Sequence, residues 1–279
     1  MTDALVALLT SLADDELVIG HRHSEWTGFA PHIEEDVAFS SIAQDEIGHA
    51  AALYALAARL TDSDADRLAF GREPMEYRHA VLCERPNGDW SYTLARHWLY
   101  ELAESLRLES LRSSTYPELA ALAVKLQREE RYHLLHADAW IKRIANGPLE
   151  GRTKVVDAMA EALAEAPGLF ERFGGEEHAL AQGWLPEASP ELLERFLRRA
   201  VGALDELGLP TGVFGHEDEA AEFVASSSGD LLSARSEPSH AWGARADSLG
   251  GRAGRHSEDF TALWEEMTST YRASPGASW

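Results

Sequence analysis

Two short motifs pair a carboxylate with an imidazole at a spacing that suits metal binding. Glu46 and His49 lie three residues apart in the run Gln-Asp-Glu-Ile-Gly-His, and Glu130 and His133 repeat the pair further along the chain. Residues i and i+3 share one face of an α-helix, so both side chains of a pair can reach a single ion. Each Glu-x-x-His motif therefore offers one nitrogen and one or two oxygens, which is half of a two-metal site.

The other half of such a site would be one glutamate from the helix that precedes each motif. Glu16 precedes Glu46 by almost the same stretch of chain as Glu101 precedes Glu130. This combination is the ligand set of ferritin-like di-iron and di-manganese bundles. Glu104, one turn beyond Glu101, is an alternative ligand on the third helix. The six predicted ligands are Glu16, Glu46, His49, Glu101, Glu130 and His133.

Helical periodicity places each predicted ligand in the middle of an apolar face. The stripe that carries Glu46 and His49 also carries Phe39, Ile42 and Leu53. Four carboxylates on buried faces must be protonated, ion-paired or bound to metal, because burying them unpaired would be very unfavourable. Two divalent cations would balance their charge, and the two imidazoles would add neutral donors. The expected cofactor is two iron ions, and manganese also suits these ligands.

Coincidence is the weaker interpretation of this pattern. A single Glu-x-x-His motif would mean little in a chain with 47 acidic residues and 12 histidines. Two motifs, each with a buried-face glutamate one helix earlier at nearly the same spacing, are much harder to explain by chance. Asp45 and Glu129 each precede a ligand glutamate and could orient a histidine by accepting its N–H. Simple exposure to solvent is the alternative for these two residues.

The elements that carry the motifs are helices, and strand patterns are almost absent. Periodicity predicts four bundle helices at about 4–23, 32–60, 91–113 and 117–146. A short helix is predicted at 65–70, and further helices at 153–173, 190–207 and 257–272. The ligands of the first two bundle helices recur in the last two at a nearly constant offset, which an internal duplication explains. The predicted fold class is all-α, a ferritin-like four-helix bundle with extra C-terminal helices.

The predicted organisation is a single ferritin-like domain over residues 1–279. Within it, residues 1–148 form the four-helix core and residues 149–208 form the additional helices. Residues 209–256 are a loop-rich insertion with few large apolar side chains, and residues 257–279 form a last helix and tail. A chain of this length can bury a substantial core.

Composition excludes several partners and locations. The net charge of −22 disfavours nucleic acid and anionic membrane surfaces. The longest apolar run, residues 50–58, is far shorter than the ~20 residues that span a bilayer. The single cysteine, Cys83, cannot form an internal disulfide and is expected to be a buried free thiol. The free thiol and the acidic N-terminal residues, which are unlike a secretory leader, together predict a cytoplasmic protein.

Several longer motifs link the chain to a known family. They are Glu-Trp-x-Gly-x-Ala-Pro at 25–31, Glu-x-Pro-Asn-Gly at 84–88 and Arg-Tyr-His-Leu at 131–134. The most specific is the tail, with Gly-Gly-Arg-x-Gly-x-His-Ser-Glu at 250–258, Glu-Met at 266–267 and Pro-Gly-x-x-Trp at 275–279. In these motifs the chain resembles the C subunit (PaaC) of phenylacetyl-CoA 1,2-epoxidase, the multicomponent monooxygenase of aerobic phenylacetate breakdown. The resemblance covers nearly the whole chain, with an apparent insertion at about 213–249.

The resemblance implies a subunit of an oxygen-dependent complex that epoxidises the aromatic ring of a CoA thioester. It also implies an A-type subunit and a reductase as partners, in a homo- or hetero-oligomer. In that family the di-iron centre lies in the A subunit, and the C subunit is a structural partner that has lost most metal ligands. This chain departs from the pattern, because all six predicted ligands are present.

Three functions therefore remain open at the level of the sequence. The first is an epoxidase subunit with its own dinuclear iron site. The second is a non-catalytic scaffold that pairs with a di-iron A-type subunit. The third is another ferritin-like di-metal oxidase. No catalytic residue is predicted beyond the metal ligands.

Overall fold

The computed structural model describes residues 2–210, 249–274 and 277, and all regular structure in these ranges is helical. The α-helices are α1 Asp3–Ser24, α2 Ile33–Ala58, α3 Ala65–Phe70, α4 Val81–Glu84, α5 Trp90–Leu111, α6 Pro117–Ala145, α7 Leu149–Leu163, α8 Glu176–Gln182, α9 Ser189–Glu206 and α10 Glu258–Ala273. Short 3₁₀ segments occur at Pro74–Glu76, Ala166–Phe170 and Gly251–Ala253. The predicted all-α class is confirmed. Among the described helices, none combines the length and the apolar character that crossing a bilayer would require.

Four of these helices, α1, α2, α5 and α6, form the bundle. α1 packs along α2, α5 packs along α6, and α2 also contacts α6. α1 and α5 are buried on nearly every side, because α7, α8, α9 and the C-terminal segment cover their outer faces. α2 and α6 are buried on one face only and keep an exposed face, as their apolar stripes predict. The metal motifs therefore lie on the two helices nearest to solvent.

Local signals explain why the bundle helices begin and end close to the predicted positions. The Asp89 carboxylate accepts the backbone N–H of Tyr92 at 3.0 Å and so caps the start of α5. Pro117 is the first residue of α6, where its missing N–H costs nothing. α3 covers Ala65–Phe70 as predicted, and Asp64 caps it through the backbone N–H of Arg67.

The boundaries predicted for the helix at 153–173 are wrong. α7 begins at Leu149 and ends at Leu163, and a 3₁₀ segment that contains Pro167 follows it. A proline inside a helix removes a backbone hydrogen bond and clashes with the preceding turn, which ends the α-helix before Pro167. α8 was not predicted. It has only seven residues, between two glycines with positive φ, Gly175 and Gly183, and is too short to show periodicity.

Residues 250–254 of the C-terminal segment pack closely against the backbone of the segment that precedes α4. A Cβ at Gly251 would lie 2.1 Å from the carbonyl oxygen of His79, and one at Gly254 would lie 2.1 Å from that of Met75. Only glycine fits at these two positions. Between them, Arg252 extends into the interior, where its guanidinium lies 2.6 Å from a carboxylate oxygen of Asp15 on α1. The Gly-Gly-Arg-x-Gly part of the tail motif therefore packs into the core.

Parts of the predicted organisation fall outside the described residues. Residues 211–248, which make up most of the loop-rich insertion predicted at 209–256, are among them. So are Pro275, Gly276 and Trp279 of the tail motif. The division of the chain into four regions stays a prediction. Cys83 is a buried free thiol, as expected.

Candidate metal centre

All six predicted ligands lie in the interior between the four bundle helices. They are Glu16 on α1, Glu46 and His49 on α2, Glu101 on α5, and Glu130 and His133 on α6. None of them is more than 3% exposed. The regular 3.6-residue period of four separate helices is what brings their side chains to one level of the bundle.

The six side chains form two groups, each drawn from three helices. In each group the candidate ligand atoms all lie within 4.8 Å of one another. We call Glu16, His49 and Glu130 the first half-site, and Glu46, Glu101 and His133 the second half-site. Each half-site thus contains two carboxylates and one imidazole.

Glu130 lies between the two imidazoles. Its Oε1 is 3.0 Å from Nδ1 of His49 and 3.4 Å from Nδ1 of His133. Nδ1 of His49 is also 3.4 Å from Oε2 of Glu16, and Nδ1 of His133 is 3.9 Å from Oε2 of Glu101. The two rings are nearly parallel, with centroids 6.3 Å apart. Both histidines therefore direct the same ring nitrogen, Nδ1, toward the carboxylates.

The opposite ring nitrogens are held by carboxylates from the facing helix. Nε2 of His49 on α2 lies 2.9 Å from Oε2 of Glu129 on α6. Nε2 of His133 on α6 lies 3.3 Å from Oδ2 of Asp45 on α2. We call this pair the crossed contacts, because each helix orients the histidine of the other. An Nε2–H that donates to a carboxylate leaves the lone pair of Nδ1 directed inward, which is the arrangement found in metal-binding histidines.

The buried carboxylates perturb one another strongly. Burial raises the pKa of Glu16 to about 7 and that of Glu46 to about 8, and both remain influenced by the charge of Glu130. Burial and the proximity of Glu130 raise the pKa of Glu101 well above its usual range. Burial acts on Glu130 in the same direction, but the contacts with His133 and His49 hold the pKa of Glu130 well below normal. Without metal, the centre keeps several carboxyl groups protonated at neutral pH.

The pKa values of the two imidazoles are also raised, although burial acts on them in the opposite direction. Burial lowers the pKa of His49, but its contacts with Glu130 and Glu16 outweigh burial and raise that pKa to about 12. The pKa of His133 rises to about 9 for the same reasons, with Glu130 as its main partner. Protonated imidazoles thus occupy the place that cations would take beside these carboxylates.

A dinuclear metal centre fits the atoms that face inward. Buried polar atoms in proteins nearly always have a hydrogen-bond partner. Here both oxygens of Glu46, Glu101 and Glu130, Oε2 of Glu16, and Nδ1 of His49 and His133 have none. Two divalent cations would satisfy these atoms and neutralise the four carboxylates. Carboxylate oxygen and imidazole nitrogen are donors that suit Fe(II) and Mn(II).

The neighbouring candidates are used elsewhere. Glu104 lies 2.8 Å from Arg107, which also contacts Asp15 at 2.6 Å, so this carboxylate is part of an ion-pair network. The geometry therefore favours Glu101 over Glu104 as the ligand from α5. His136, one turn beyond His133, contacts a carboxylate oxygen of Glu35 at 2.9 Å and belongs to neither half-site.

Two buried histidines next to the centre were missed by the sequence analysis. His23 on α1 and His97 on α5 are both 0% exposed, and their ligand atoms group with that of Glu46. Their spacing carried a signal. His23 follows Glu16 by seven residues and His97 precedes Glu101 by four, so each lies on the ligand face of its helix.

Comparison with known proteins shows the family of the chain. The model of a family described as "Phenylacetic acid catabolic protein" matches residues 1–242. The chain belongs to this family. It is also 30% identical over 276 residues to the C subunit of the 1,2-phenylacetyl-CoA epoxidase of Escherichia coli (strain K12), with 99% of both chains covered. The resemblance inferred from the motifs is thus confirmed. As a phenylacetic acid catabolic protein, the chain has its role in phenylacetate breakdown.

Proposed function

We propose that the chain is a C-type subunit of a phenylacetyl-CoA 1,2-epoxidase complex and carries its own dinuclear iron centre. The observation that supports the centre is the convergence of unpartnered carboxylate oxygens and two Nδ1 atoms in the two half-sites. Manganese would suit the same donors. A bound iron pair supplies the activation of dioxygen on which epoxidation depends.

The protein side chains have separate tasks in this proposal. Glu130 lies between both imidazoles and, with Glu46 as its counterpart on α2, would help to hold the metal. Glu16 and Glu101 would complete the carboxylate ligands of the two half-sites. The crossed contacts fix both imidazole rings, and the buried helix faces exclude bulk water. Electrons come from a separate reductase, because the sequence has no flavin, nicotinamide or iron–sulfur motif.

One open cavity of the described residues does not suit a CoA thioester. A cavity of about 530 Å³ lies between the segment before α5 and α7. Its charged wall residues are Arg85, Asp89, Lys154, Asp157, Glu161, Glu165 and Asp259. Five acidic groups against two basic ones repel the phosphates of CoA. We therefore assign the CoA-binding surface to an A-type partner subunit.

The exposed faces of the motif helices suit such a partner. α2 exposes Ile33 and Val37, with Phe29 just before the helix, and α6 exposes Tyr132 and Leu135. Large apolar side chains exposed in this way are typical of protein interaction sites. This observation also favours the second candidate function, a scaffold that contributes contacts and no catalysis. A cytoplasmic location agrees with either function, since Cys83 is a free thiol.

Metal analysis tests the dinuclear centre. Protein produced in iron-supplemented medium should contain about two irons per chain by mass spectrometry, as the ligand set of such bundles requires. The double variant Glu46→Ala, Glu130→Ala should lose them. Glu150→Ala is the matched control, because this side chain is 86% exposed, and it should keep the full metal content. Unmutated protein without metal would refute the centre.

A reconstituted complex separates the two candidate functions. The chain is combined with an A-type subunit and a reductase, and turnover of phenylacetyl-CoA is measured. If the centre is catalytic, the double variant should assemble normally and lose turnover. Normal turnover by an assembled complex that contains the metal-free variant would leave the scaffold as the function of this chain.

A further inference from the structure

His23 and His97 lie close to Glu46, next to the second half-site. Nδ1 of His23 lies 3.4 Å from Oε1 of Glu46, and the three candidate ligand atoms all lie within 4.8 Å of one another. The two imidazole rings are nearly perpendicular, at 88°, with centroids 4.9 Å apart. The three residues come from α1, α2 and α5, so the cluster is fixed by the packing of three bundle helices.

None of the four ring nitrogens in this cluster has a hydrogen-bond partner. Both Nδ1 and Nε2 of His23 and of His97 are buried and unpaired. The aromatic ring of Phe39 packs within 5.3 Å of both imidazoles, so the surroundings on that side are apolar. A buried polar group without a partner is costly, and such a group requires an explanation. An ion held by the imidazoles provides one.

A simpler role as hydrogen-bond donors fits these contacts less well. Nδ1 of His97 lies 3.2 Å from Oε1 of Glu101, and that of His23 lies 3.4 Å from Glu46. Both distances are at or beyond the long end of the N–H···O range. The same contacts leave the nitrogens and the carboxylate oxygens unpaired.

We propose that His23, His97 and Glu46 form a third metal site, next to the dinuclear centre and sharing Glu46 with it. Two imidazoles and one carboxylate are a ligand set for Zn(II) and for Fe(II) with open coordination positions. A carboxylate has two oxygens, so Glu46 can contact this ion with one and the second half-site with the other. The ion would satisfy one nitrogen of each histidine.

The charge of the cluster sets the order in which the sites fill. Glu16, Glu46, Glu101 and Glu130 together carry four negative charges when ionised, which two divalent ions balance. A third divalent ion finds no further carboxylate in its own ligand set and needs a bound anion such as hydroxide. The third site should therefore fill last and bind at least tenfold more weakly than the dinuclear centre.

Zinc titration of the metal-free full-length chain tests this proposal. Isothermal titration calorimetry with Zn(II) alone should show two tight sites and one weaker site. His23→Phe and His97→Phe keep a ring of similar size and remove the nitrogens, so each should lose the weak site only. His178→Phe is the matched control, because this exposed histidine lies on α8, outside the cluster. It should bind like the unmutated protein.

Crystals of the unmutated protein soaked in Zn(II) give a second measurement that does not depend on any variant. An anomalous difference peak between His23, His97 and Glu46 is expected at saturation. Peaks confined to the two half-sites at saturating Zn(II) would overturn the third site. A peak in the cluster with none in either half-site would support the third site and instead sink the dinuclear centre, so the two proposals fail separately.

Discussion

The crossed contacts predict a graded loss of metal affinity when their carboxylates are removed. Glu129→Ala removes an acceptor 2.9 Å from His49, and Asp45→Ala removes one 3.3 Å from His133. Loss of such an outer partner typically weakens metal binding by about 10-fold to 100-fold, which is about 1.4 to 2.8 kcal/mol. The shorter contact should give the larger loss, so we expect Glu129→Ala near the upper end and Asp45→Ala near the lower.

Solvent limits both effects. The Glu129 and Asp45 side chains are 40% and 44% exposed, so water can replace the lost acceptor in part. Glu129→Gln keeps an acceptor and loses the charge, and its affinity should lie between those of the alanine variant and the unmutated protein. Competition between the apoprotein and a chromophoric chelator for Zn(II) measures these differences directly. Glu118→Ala, at an exposed position on the same helix, is the control.

Two results would refute this reasoning. If Glu129→Ala binds Zn(II) within twofold of the Glu118→Ala control, the outer carboxylate does not orient His49. If Asp45→Ala costs more than Glu129→Ala, the measured distances do not determine the strength of the crossed contacts. In both cases far-ultraviolet circular dichroism must show that the variants keep the helical content of the unmutated protein.

Three further predictions concern protons and buried charge. In the metal-free centre, raised pKa values keep carboxyl and imidazole groups protonated at pH 7. Metal binding should therefore release about four protons per chain, and metal affinity should rise with pH. The contribution of buried Glu84 to stability against urea should be lost as pH drops below 4.5, because contacts with His256 and His79 outweigh burial and hold the pKa of Glu84 below its usual value. Arg252→Met should cost about 3 kcal/mol, the low end for a broken buried ion pair, since Arg107 still contacts Asp15.

Each of these three predictions can be measured directly, and each has an outcome that would contradict it. Calorimetry in two buffers with different ionisation enthalpies counts the protons, and release of fewer than one would contradict the raised pKa values. Glu84→Gln should be less stable than the unmutated protein at pH 7, and it should lose the dependence of stability on pH below pH 4.5. An unchanged dependence would exclude Glu84 as its source. For the tail, thermal melting of Arg252→Met is compared with that of Arg255→Ala at an exposed position, and equal midpoints would contradict the buried pair.

The sequence paired each histidine with the glutamate of its own motif, whereas the structure divides both pairs between the two half-sites. It was enough to predict the helical bundle and to place the six predicted ligands on its inner faces, for a physical reason. Each predicted ligand lies on a long amphipathic helix, where the 3.6-residue period decides which side chains face inward. Four such helices with ligands at matching positions leave few ways to pack. The choice of Glu101 over Glu104 also followed from periodicity, because Glu101 lies on the better apolar stripe and faces His133 in the structure.

Other features depend on contacts between distant residues and could not be read in this way. The partner of Asp45 was open in the sequence, and the structure places it near His133, 88 residues away. Arg252 reaches Asp15 across 237 residues, which no local pattern indicates. The histidine cluster at Glu46 was missed because its histidines belong to no Glu-x-x-His motif, although helical spacing already placed His23 and His97 on the ligand faces.

The distance between α2 and α6 controls the orientation of both histidines, because each crossed contact joins a histidine on one of these helices to a carboxylate on the other. If the two helices move apart, both imidazoles lose their outer partners together, and neither half-site can fail alone. Conversely, a first ion that draws the helices together also fixes the imidazole ring that the second ion needs. The entropic cost of ordering the two helices then falls on the first ion alone, so the two ions should bind cooperatively. A partner protein that binds the exposed faces of α2 and α6 would therefore fix the distance between these helices and stabilise the metal centre, although it touches none of the ligands.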